Sequence, residues 1–91
     1  MTKEELIVLC ENYTAGDTET FAKIVTGFLK LRDGNEIELA YGLQATQREI
    51  LAWKEKIQLP SPYQQIKAVR YIKRRVKYAL TIELNSQAIK E

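Results

Sequence analysis

The sequence predicts an all-α protein, a single small domain of about five helices within its 91 residues. Three observations predict it: helix-start signals recur along the chain, apolar residues repeat at three- and four-residue spacing, and strand patterning is absent apart from a weak VKYALTIEL stretch. Hydrophobic residues at 45% and charged ones at 29% are ordinary globular values, which argues against extensive disorder. No repeat, low-complexity tract or long linker divides the chain, so residues 1–91 are read as one helical domain, with a tail over 82–91 that either extends the last helix or frays.

The elements follow in order from their caps. A side-chain oxygen at the N-cap and a carboxylate or amide three residues later satisfy each other's exposed backbone donors. That pairing occurs at Thr2 with Glu5, Asn35 with Glu38, Thr46 with Glu49 and Ser61 with Gln64, and Pro62 suits the first helical position because its missing N–H would have no partner there. The first helix is expected from Lys3 to Tyr13. The second, from Glu19 to Arg32, follows the turn signal Gly16-Asp17-Thr18, carries Phe21, Ile24, Val25, Phe28 and Leu29 or Leu31 at helical spacing, and is ended by Gly34. The third is short, Glu36 to Tyr41, before Gly42. The fourth is capped at Thr46 and runs to Ile57, and the fifth spans 62–80.

Several chemistries are excluded by composition. The chain has no histidine and one cysteine, so zinc-finger and Cys/His nucleophile sites are ruled out, and the four scattered glycines form no phosphate-cradling loop. Catalysis, cofactor and metal are therefore not expected. Cys10, inside the apolar run LIVLC, reads as a buried small thiol. No apolar run approaches the roughly 20 residues needed to span a bilayer, and MTKEEL lacks the plan of a signal peptide, so a cytoplasmic protein without membrane contact is expected.

The net charge of +2 conceals an asymmetry. Residues 1–40 hold eight acids and four bases, whereas 41–91 hold four acids and ten bases, so a polyanion is expected to meet the second half. The fifth helix concentrates it. Ile66, Val69, Ile72, Val76 and Ala79 or Leu80 form the expected buried face, leaving Lys67, Arg70, Lys73, Arg74, Arg75 and Lys77 exposed, interleaved with Tyr63, Tyr71 and Tyr78, and no acid from Pro62 to Thr81. Like charges this dense repel one another, and a purely structural helix would gain from interspersed glutamates. Phosphates of nucleic acid would offset them, with Lys67, Arg70, Tyr71, Lys73, Arg74, Arg75 and Lys77 as contacts. The alternative is pairing with the acids of the first half, Glu4, Glu5, Glu11, Asp17 and Glu19, within one chain or across a dimer.

A short helix, a turn and a capped helix form the layout of a helix-turn-helix. Over residues 36–60 the sequence resembles helix-turn-helix DNA-binding proteins of the phage Cro and repressor type and, more loosely, homeodomain-like domains, through Ala40, Gly42, Leu43, Thr46, Ile50 and Trp53. In that family the core apolar residue follows the turn glycine by six positions. Here Ile50 follows Gly42 by eight, so a turn two residues longer is expected. Winding the fourth helix at about 100° per residue puts Thr46, Ile50, Trp53 and Ile57 on one face, with Gln47, Arg48, Leu51, Ala52 and Glu55 away from it. Trp53 is expected as a core anchor. Gln44, Gln47 and Arg48 are the candidate base contacts, Arg for guanine and Gln for adenine.

These readings imply a small cytoplasmic DNA-binding protein, a sequence-specific transcriptional regulator of phage or bacterial type. Helix 46–57 would act as recognition helix and helix 62–80 on the phosphates of double-stranded DNA. A homodimer is expected from the way small readers gain affinity, with the first helix and its LIVLC run as a candidate interface. The alternative is a non-enzymatic adaptor or structural subunit whose basic helix docks on an acidic protein partner.

Overall fold

The computed structural model describes residues 1–31 and 36–89, the last four of these as backbone only. It is all-helical and compact, with helices α1 (Lys3–Glu11), α2 (Thr18–Lys30), α3 (Glu36–Leu43), α4 (Gln47–Lys54) and α5 (Pro62–Ile89). The expected cap at Asn35 and the stop at Gly34 lie outside the described residues. The other three capping boxes are formed. Thr2 and Thr46 exchange backbone and side-chain hydrogen bonds with Glu5 and Glu49, and Ser61 does the same with Gln64. Asp17 caps α2 by accepting from the Thr20 N–H at 3.1 Å, after Gly16 turns the chain at φ 91°.

α5 is the spine. With neither glycine nor proline after its first residue it continues past Leu80 to Ile89, 28 residues or about 42 Å, against a longest molecular dimension of 47 Å. α1 runs antiparallel along it: Lys3 pairs with Glu83 near one end, and the Tyr13 hydroxyl donates to Gln65 Oε1 at 2.7 Å near the other. α2 and α3 also pack on α5, and α4 closes the body against α2 and α3. The shared core holds Leu6, Phe21, Ile24, Val25, Phe28, Leu39, Ile50 and Ile72, all fully buried. The Trp53 ring, 6% exposed, meets Phe21 tilted at a centroid distance of 5.9 Å, so it is the anchor its spacing predicted.

α1 and α2 each end two residues before the expected Tyr13 and Arg32, at Glu11 and Lys30, and three further expectations are corrected. Two concern helix ends: α3 continues through Gly42 to Leu43, and α4 stops at Lys54, short of Ile57. Both ends use a left-handed residue whose own N–H and the one after it close on the last turn. Gln44 (φ 56°) donates to the Tyr41 carbonyl and Ala45 to that of Ala40; Lys56 (φ 59°) donates to Trp53 and Ile57 to Ala52. Ile57 is thereby turned off the α4 core face and is 78% exposed. The third concerns α5, whose buried face is Gln65, Ala68, Val69, Ile72, Val76 and Ala79, with Ile66 only partly covered. Gln65 can be buried because both ends of its amide are satisfied, the second by donating to the Pro60 carbonyl at 3.0 Å.

Candidate nucleic-acid interface

On α5, Lys67, Arg70, Arg74 and Lys77 are exposed and lie within about 80° of one another at about 100° per residue, a stripe about 15 Å long opposite the core. Among the described residues none of the four makes an ion pair. Lys67 does sit over the Tyr63 ring, 5.8 Å from its centroid, a contact that leaves the charge facing water. The other two cations of this helix flank the stripe. Arg75 pairs with Glu38 of α3, and Lys73, half-covered, is close enough to α1 for its charge to act on Cys10. The expected alternative partners Glu4, Glu5, Glu11, Asp17 and Glu19 pair with no described residue of α5; Glu19 pairs with Lys56.

The stripe borders a recess of about 370 Å³ whose walls are Lys67, Arg70 and Arg74 on one side and the end of α3, Gly42 to Gln44, on the other, with Tyr71 between. Gly42 is required here by packing. A Cβ on it would lie 2.4 Å from the Tyr71 ring, so the absence of a side chain lets the phenol rest on the α3 backbone. Burial pushes the Tyr71 hydroxyl above its ordinary pKa, Glu38 adds to the rise and Arg75 opposes it, so the phenol is a neutral donor at physiological pH.

Of the three candidate readers, only Gln44 lines this recess. Its backbone role was not foreseen: it occupies the left-handed position of the α3–α4 turn, six residues before Ile50. Gly42, by contrast, is helical and lies within α3. Gln47 and Arg48 are exposed on the first turn of α4. Counted from buried Ile50, Arg48 is about 160° round the helix and projects straight out, whereas Gln47, about 60° round, shares a flank with Lys54. A second recess, about 190 Å³, joins Gln44, Ala45, Glu49 and Trp53 to Gln64 and Lys67. Glu49, legible in sequence only as a cap, thus also puts a carboxylate beside the start of the stripe; its four-residue spacing from Trp53 was the signal for that facing.

Among the described residues no cluster of His, Cys, Asp and Glu is placed to hold a metal, and no helix is long and apolar enough to cross a membrane. Compared with family models, curated proteins and solved structures, the chain matches none.

Proposed function

We propose that the chain is a small DNA-binding protein, a sequence-specific transcriptional regulator of phage or bacterial type acting in the cytoplasm, with α3 and α4 as its helix-turn-helix. The observation that carries this reading is the exposed stripe Lys67, Arg70, Arg74 and Lys77, without ion pairs among the described residues, bordering the α3–α4 turn. Phosphates are the ligands that such a stripe suits, and the Tyr71 hydroxyl and Gln44 amide add neutral contacts beside it. The left-handed Gln44, six residues before Ile50, supports the resemblance where Gly42 did not fit it. Arg48 is the first candidate to reach a base edge, with Gln47 and Gln44 on either side of it.

Homodimerisation belongs to the same proposal, since small readers gain affinity from two half-sites. α1 offers little surface for it, because Leu6, Ile7 and Cys10 are in the core and Val8 alone of LIVLC is more than half exposed. One observation favours the adaptor reading: Ile37 and Tyr41, a turn apart on α3, are 64% and 89% exposed, an apolar pair suited to a protein partner.

A gel-shift series with random duplex DNA across a salt gradient separates the two. Retardation that weakens as salt rises is expected, and none at low salt overturns DNA binding. Arg70→Ala or Arg74→Ala should weaken binding on every sequence, whereas Arg48→Ala or Gln47→Ala should mainly blunt discrimination among sequences; equal losses from both sets would sink α4 as reader.

A further inference from the structure

Charge counting along the chain sends a polyanion to the second half, yet folding gathers a separate set of lysines from both halves. Lys23 and Lys30, two turns apart on one side of α2, line a recess of about 310 Å³ with Lys54 from the end of α4 and Lys56 from the turn after it. Among the described residues Glu19 is the one acid lining it, and it pairs with Lys56 at 2.6 Å. Lys23, Lys30 and Lys54 are exposed and make no ion pair among the described residues.

The position of these lysines relative to α4 gives them a use. Counted from Ile50, Lys54 is about 40° round the helix, on the α2 flank with Gln47; Glu49 is about 100° the other way, on the flank that faces Lys67. The outward strip of Arg48 therefore has the α5 cations on one side and the α2 and α4 lysines on the other. A duplex groove is bounded by two phosphate strands, so a helix that enters it meets negative charge on both flanks at once. A single strand or an acidic peptide would engage one flank.

We infer that Lys23, Lys30 and Lys54 form a second phosphate-contacting surface, which takes the strand across the groove from the one held by α5. This rests on the DNA-binding reading above. The test is the salt dependence of binding to a short duplex and to one of its strands, measured by fluorescence anisotropy on the wild type, the triple variant Lys23→Ala/Lys30→Ala/Lys54→Ala and the double variant Arg70→Ala/Arg74→Ala, with circular dichroism as the check on folding. Each phosphate contact contributes about 0.9 to the slope of log affinity against log salt, so the triple variant should flatten the duplex slope by about 2 to 3, while its single-strand binding stays within about twofold of wild type. Replacing the same three lysines by arginine should restore the slope. If the triple variant keeps the wild-type duplex slope while the double variant loses it, the second surface fails and DNA binding stands. An equal loss on the single strand overturns the assignment to the opposite strand. No binding of duplex by the wild type at about 50 mM salt overturns both readings.

Discussion

Cys10 illustrates how one residue's chemistry is set by its packing. It is 6% exposed, and burial pushes its thiol up to about 11, with Glu11 adding to the rise and Lys73 opposing it. Because the thiolate is the reactive form, alkylation at pH 8 should be at least about a hundredfold slower in the folded protein than in urea, as timed by mass spectrometry. Comparable rates would mean that α1 opens readily. The same shift favours the neutral thiol in the native state, so its contribution to stability is complete below about pH 9 and is lost as pH rises towards 11. Gln65 shows the converse case, a polar side chain kept inside because Tyr13 and Pro60 satisfy its amide.

At the scale of elements, the α3–α4 connection is the decisive one. Gln44 carries a side chain in the left-handed region, where a Cβ is disfavoured and glycine is not. Gln44→Gly should therefore stabilise the protein by up to about 1 kcal/mol, read as a raised urea midpoint, provided that the amide makes no compensating contact. A lowered midpoint would show that the side chain itself holds the turn. If Gln44 also contacts DNA, the same variant binds less tightly while folding better, so the two readouts separate its backbone role from its side-chain role.

Across the whole molecule, every helix contributes to one core. α5 joins the α1 and α3 sides, and Trp53 of α4 rests on Phe21 of α2. Unfolding followed by Trp53 fluorescence and by far-ultraviolet circular dichroism should consequently give coincident urea midpoints, the mark of a two-state transition. Separate midpoints would mean that α3 and α4 form a unit less tightly coupled to the spine. The charge distribution also belongs to this scale. The α5 stripe is continuous in sequence, whereas the lysine group opposite it draws on α2, α4 and the turn that follows α4.

What the sequence by itself determined is what depends on neighbours within a turn or two: the all-α class, the starts of α1, α4 and α5 through their capping boxes, the core roles of Phe21, Ile50 and Trp53, and the cationic stripe of α5. Helix ends were less legible, because any residue able to adopt a positive φ can stop a helix, and the chain uses Gln44 and Lys56, which carry no such signal. The rotation of α5 was decided only in three dimensions, where Tyr13 and Pro60 make burial of Gln65 favourable and leave Ile66 at the margin. The same holds for Gly42, whose missing side chain is explained by a ring 29 positions later, and for the grouping of Lys23 and Lys30 with Lys54. Each joins residues distant in the chain, and no local pattern encodes which of them folding will bring together.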